Sequence, residues 1–173
     1  LAAALTVSCI GGIVPANSVQ AASLKIRYSG KTRYYKGKQL HVSYANKNLS
    51  SKYVGIQINK VNMIPYYDYL VKQGPKVKRT YSKSSGKLIL KNGDDTLTAY
   101  VGKRTYYLNG VKKTFSVAPT KVKYYKTKKT IILIPANAIV KGLGLNYKYS
   151  SSSKRIYITQ PVIPSDSTTQ VQT

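Results

Sequence analysis

The chain has 173 residues, with 29 Lys and Arg against four acids, a formal net charge of +25, one His, one Cys and no Trp. So few carboxylates and a single imidazole leave few candidates for paired-acid hydrolysis or a His–acid relay, and one imidazole cannot build a histidine-cluster metal centre. The charge also far exceeds the about 2 to 8 that keeps a small domain soluble, which points to a polyanionic partner.

Residues 1–22 are uncharged, rich in Ala, Leu, Ile and Val, and end in small residues around Val19-Gln20-Ala21-Ala22. This is the pattern of a secretory signal peptide, expected to be cut after Ala21 or Ala22, with its basic leader lying before Leu1. Gly11, Gly12 and Pro15 interrupt the segment, so its apolar run falls short of the ~20 residues of a spanning helix. No transmembrane anchor is expected after cleavage. Cys9 lies inside the signal, so the exported chain has no thiol and must rely on a packed core. Export also selects the polyanions within reach: teichoic acid, peptidoglycan glycans and lipid headgroups. It opposes a nucleic-acid partner.

From Ser23 onward Tyr, Val, Ile, Leu and Thr alternate with Lys, Arg and Ser in short runs separated by Gly, Asn and Ser. The alternation predicts strands over 24–28, 31–35, 39–44, 53–58, 76–81, 87–90, 96–101, 104–108, 111–117, 122–125, 130–134, 145–149 and 155–159. Lys36-Gly37, Asn92-Gly93 and Asn109-Gly110 tolerate the positive φ of tight hairpins. Two stretches read as helices, 65–73 ("PYYDYLVKQ") and 135–141 ("PANAIVK"). Each opens on Pro, whose missing N–H is harmless in a first turn, and each precedes Gly, at Gly74 or at Gly142 and Gly144, suited to a left-handed cap. Helices this short need to dock an apolar stripe: Tyr66, Tyr69 and Leu70 in the first, Ala138, Ile139 and Leu143 in the second.

The two helical marks belong to longer matching stretches. "MIPYYDYLVKQGPKVKRTYSKSSGKLIL" from Met63 and "LIPANAIVKGLGLNYKYSSSSKRIYI" from Leu133 share an order: Ile-Pro, short helix, Gly, strand, Ser/Lys turn, strand. Upstream, "YYKGKQLHVSY" at Tyr34 matches "YYLNGVKKTFSV" at Tyr106. The expected fold is α+β and strand-dominated, with two tandem repeats of twisted antiparallel sheet, each packed on one short helix. Its expected divisions are 1–22 signal peptide, 23–102 first repeat, 103–160 second repeat and 161–173 linker. The linker assignment follows from the Pro, Ser, Thr and Gln of "QPVIPSDSTTQVQT".

The second copy carries Leu108-Asn109-Gly110-Val111-Lys112, Val117-Ala118-Pro119, Ile132-Leu133-Ile134-Pro135, Gly142-Leu143-Gly144 and Lys154-Arg155-Ile156-Tyr157-Ile158. These motifs resemble the copper amine oxidase N-terminal domain-like family, stalk modules common in exported proteins of Gram-positive bacteria. The resemblance spans nearly all of 24–160 and implies structural roles for Pro65, Gly74, Gly110, Pro135 and Gly144. It implies a non-catalytic spacer, often preceding a catalytic or wall-binding domain, and no copper chemistry. The chain departs from the family in lacking its helix Arg and Glu between Ala136 and Lys141, and in showing Tyr149-Ser150 for its Trp-Asp pair. Any ion-pair network built on those residues is lost.

No catalytic group, metal or cofactor is expected. The one Asn-Tyr, Asn146-Tyr147, is followed by Lys148 rather than the acid of a quinone-forming site, and His41 reads as a polar position on a strand. Asp94 and Asp95 beside Asn92-Gly93 read as turn residues, Asp68 lies in the first helix and Asp166 in the tail. The candidate polyanion-binding residues are Lys76, Lys78, Arg79 and Lys83 in "KVKRTYSK", with Lys121, Lys123, Lys126, Lys128 and Lys129 in "KVKYYKTKK". Strand alternation sets such cations in rows on one sheet face. The sequence thus reads as a secreted or wall-associated stalk held electrostatically by anionic wall polymers; the alternative is the non-catalytic front of a wall-remodelling enzyme whose catalytic domain lies beyond Thr173.

Overall fold

The computed structural model describes residues 23–162, so the expected signal peptide and the tail from 163 onward lie outside the described residues. The first strands are β1 (Leu24–Tyr28), β2 (Lys31–Tyr35), β3 (His41–Tyr44), β4 (Lys47–Asn48), β5 (Ile56–Ile58) and β6 (Val61–Pro65). A π-helical segment, Tyr67–Lys72, leads to β7 (Lys78–Ser82), β8 (Lys87–Asn92), β9 (Asp95–Tyr100), β10 (Thr105–Leu108) and β11 (Val111–Thr114). Then come β12 (Thr120–Tyr124), β13 (Lys129–Pro135), helix α1 (Ala136–Gly142), β14 (Asn146–Ser150) and β15 (Arg155–Thr159).

These strands form a six-stranded sheet in the order β2-β1-β12-β13-β6-β5, a five-stranded sheet β11-β10-β9-β8-β7 and a four-stranded sheet β14-β15-β3-β4. The pairings are antiparallel except β15 on β3, which runs parallel. The chain is strand-dominated, as its alternation dictates. The expectation of one sheet per repeat is corrected, because every sheet takes strands from both halves: β13 pairs with β6 and β12 with β1 in the six-stranded sheet, β15 with β3 in the four-stranded one, and β10 follows β9 in the five-stranded meander. The reason is geometric. Each Ile-Pro strand finds its best apolar neighbour in the other, with Ile64 opposite Ile134, Leu133 opposite Pro65 and Pro135 opposite Met63.

That ladder separates two cores. Ile64 and Ile134 face the larger one, where Tyr66, Tyr69, Leu70, Ile139, Val140 and Leu143 pack with Leu88, Leu90, Leu97 and Ile156. Met63 and Leu133 alternate to the opposite face and join Ile26, Ile56, Val122 and Tyr124. The six-stranded sheet curls around this second core until its edges meet, the Tyr35 hydroxyl of β2 accepting a 2.9 Å hydrogen bond from the Gln57 amide of β5.

Several local expectations shift. The first helical stretch is π-helical, and within it the neighbours Tyr69 and Leu70 are both buried. Pro65 and Pro135 close strands, because the Ile-Pro pairing continues through them, and Pro135 is at the same time the N-cap of α1. Gly74 and Gly144 do adopt left-handed φ, 61° and 75°; a Cβ at Gly144 would lie 2.7 Å from an Asp95 carboxylate oxygen. Gly142 is instead the last residue of α1. Lys36-Gly37 is a bend between sheets and forms no hairpin. The tight turns without Gly are Ala45-Asn46 and Asn59-Lys60, with φ of 48° and 64°, and of 48° and 65°. Those turns produce β4 and β6, two strands the alternation did not announce.

Two measurements follow from this arrangement. Residues 23–102 expressed alone should not fold, because β1, β3 and β6 each lose a partner strand; a cooperative unfolding transition for that fragment would contradict the shared sheets. Burial also pushes the Tyr69 phenol from its ordinary 10.0 up to about 12 and raises that of Tyr124. The fold favours the neutral phenols, so this stabilisation is complete below pH 10 and is lost as pH rises through about 12. Urea midpoints should fall across that window, and Tyr69→Phe should flatten the dependence.

Candidate polyanion-binding faces

On β1 the inward residue is Ile26, paired with Tyr124 of β12 and fully buried. Strand alternation therefore turns Lys25 and Arg27 outward. Register sets Lys25 beside Tyr34 and Arg27 beside Thr32 on one flank, and Arg27 beside Lys123 on the other. The amide of Tyr125 donates to the Lys25 carbonyl at 3.1 Å, which adds Tyr125 to the same face. Lys25 Nζ lies 4.7 Å from the Tyr125 ring centroid and 5.6 Å from that of Tyr34, and Lys123 Nζ lies 5.2 Å from Tyr125. At such distances the ring faces attract the ammonium groups and hold long side chains in place.

The same crowding acts on Tyr125. Its hydroxyl is 3.1 Å from Thr32 Oγ1. That hydrogen bond, with the cations Arg27 and Lys123 nearby, holds the phenol below its ordinary range. The result is an outward, three-stranded surface of ammonium, guanidinium and phenol groups.

The residues singled out from sequence separate into two groups. Lys121 and Lys123 lie on β12, Lys126 and Lys128 in the turn after it, and Lys129 opens β13, so five cations share one hairpin. Lys123 belongs to the face just described, and the turn cations continue it. Lys76, Lys78 and Lys83 are exposed on and around β7, where Lys78 pairs with Lys91. Arg79 departs from this row: it pairs with the buried Leu90 and so turns to the opposite side. There it donates to the Tyr66 hydroxyl at 2.9 Å and covers the Tyr67 ring at 4.6 Å. Lys25, Arg27, Tyr34 and Tyr125 were not singled out. Alternation in "KIRY" carries the outward cations, but joining them to Tyr125 required a pairing across about a hundred positions.

Residues 45–158 match the family model of the copper amine oxidase N-terminal domain. The chain belongs to this family. No curated protein and no solved structure matches it. The match spans both Ile-Pro strands and supports a non-catalytic, stalk-like module. Copper does not suit this member of the copper amine oxidase N-terminal domain family: the one imidazole, His41, lies exposed on β3, and no three His, Cys, Asp or Glu gather among the described residues. Asp94 and Asp95 lie at the β8–β9 turn, where Asp95 accepts from Asn109 at 2.9 Å. No helix among the described residues is long and apolar enough to cross a membrane.

Ultraviolet titration should reveal one phenol ionising below the others. Arg27→Ala should move that transition upward and Tyr125→Phe should remove it; an early transition that survives both would refute the assignment.

Proposed function

We propose that this chain is a non-catalytic, exported module of the cell envelope that the outer sheet faces hold against anionic wall polymers, teichoic acid or peptidoglycan. The observation that carries the reading is the acid-free face of β2, β1 and β12, where Lys25, Arg27 and Lys123 lie together between tyrosines. The acids of the described chain lie elsewhere, Asp68 in the π-helical segment and Asp94 and Asp95 at the β8–β9 turn. A polyphosphate lying along this face meets no opposing charge. Lysine suits it as a point charge, and the guanidinium adds a two-pronged contact.

The N-terminal signal-like segment supports the exported setting, and the family supports a spacer role. The pairing of Ile64 with Ile134 further favours an origin by internal duplication, with the Ile-Pro strand and the helix after it as the repeated unit. In this reading the copies became one fold by exchanging strands.

The interaction is governed by counterion release, so binding to polyglycerol phosphate should weaken linearly in log affinity against log salt. Each surface cation contributes on the order of 1 kcal/mol against an anionic surface. Replacing Lys25, Arg27 and Lys123 together by Ala should therefore cost roughly 100-fold at low salt and reduce the salt slope. A salt-independent affinity, or a triple variant that binds as the parent does, would refute the proposal.

A further inference from the structure

Where β6 turns into the π-helical segment, it leaves the flank of β13. The two strands pair only from Leu133 to Pro135, while β13 begins at Lys129. Between the start of β13 and the helical segment lies a cleft of about 280 Å³. Four tyrosines line it, Tyr53, Tyr66, Tyr67 and Tyr81, together with Asp68 and Arg79. Its size lies just below that of most ligand sites, which run about 300 to 1,000 Å³, and suits a single ring with its substituents.

The polar groups in this cleft are held rather than free. Arg79 is fixed by the Tyr66 hydroxyl and the Tyr67 ring, yet a guanidinium has five N–H donors, so most remain for a ligand. Asp68 accepts from Ser51 Oγ at 2.5 Å, which uses one of several acceptor positions of a carboxylate. Tyr67 is 44% exposed and Tyr53 is braced edge-on by Tyr124. Aromatic walls, one carboxylate and one guanidinium give the cleft an apolar surface that carries both an acceptor and a donor.

Charge decides what enters. The molecule has a formal charge of +25 with four acids in all, and one of these acids lines this cleft. Asp68 offsets Arg79 there, so the cleft does not favour the polyphosphates that suit the outer faces. A second cleft, formed in the same way where β6 flanks α1, is lined by Lys60, Lys141, Asn62 and Asn137 and has no acid. A pyranose ring fits the first cleft: its C–H face packs on tyrosine, and its hydroxyls are both donors for Asp68 and acceptors for Arg79.

We propose that the cleft between β13 and the π-helical segment binds a neutral sugar ring of the wall glycan. The proposal deepens the envelope reading and rests on it for the source of the glycan. The test uses N-acetylglucosamine oligomers at about 0.5 M sodium chloride, where electrostatic attraction is screened within a few ångströms. Amide chemical shifts should move at Tyr67, Asp68, Arg79 and Tyr81. Tyr67→Ala and Asp68→Asn should each weaken binding about tenfold or more, as loss of a charged hydrogen bond or an aromatic wall does. Lys123→Ala should leave sugar binding intact while weakening polyglycerol phosphate binding, which separates this site from the cationic face. Absence of sugar binding, or binding that both cleft variants retain with native circular dichroism, would overturn the proposal.

Discussion

The antiparallel ladder of β6 on β13 is the contact on which the rest of the molecule depends. Its central pair, Ile64 and Ile134, is fully buried on one face, and Met63 and Leu133 are fully buried on the other. One ladder therefore serves both cores. Truncating a side chain in it leaves a cavity in the core that side chain faces, and such losses cost about 2 to 5 kcal/mol for Ile or Leu to Ala. Because the strands come from distant parts of the chain, cooperativity between the N- and C-terminal stretches follows directly.

Concentrating apolar residues at that ladder leaves the other strands to alternate. Strands such as β1, β8 and β15 give one face to a core and the other to solvent, while the edge strands β2 and β11 are almost wholly exposed; the solvent faces carry Lys and Arg because the chain has almost no other charged residues. Self-repulsion on this scale weakens a compact state. Tyrosine moderates it in two ways: rings such as Tyr125 and Tyr100 lie under ammonium groups, and buried phenols such as Tyr124, whose hydroxyl donates to the Val54 carbonyl at 2.6 Å, add apolar bulk without charge. An anionic polymer laid on these faces would relieve the repulsion, so binding and stability are linked in the proposed setting.

Much of the secondary structure was legible because its signals are local. The strands Leu24–Tyr28, Lys31–Tyr35 and Arg155–Thr159 coincide with their alternating runs. Tyr66, Tyr69 and Leu70 are buried as their spacing requires, as are Ile139 and Leu143. β4 and β6 escaped notice because their hairpins use Ala45-Asn46 and Asn59-Lys60 in left-handed conformations without Gly. The first helix widened into a π-helical segment, a change of hydrogen-bond register with no compositional mark. Among the candidate cations, Arg79 lies across the strand from Lys78, which only the register with Leu90 shows.

The amino-acid sequence by itself determined the strand-rich composition, the two Ile-Pro strands, the overwhelming positive charge and the scarcity of acids and imidazole, since these depend on residue type and on spacing within a few positions. Only the tertiary structure decided that the sheets interleave, that Lys25 meets Tyr125, and that Asp68 and Arg79 share a tyrosine-lined cleft. Those outcomes rest on strand register between segments tens of residues apart. Register is set by burying apolar faces against one another, a property of the whole packed chain.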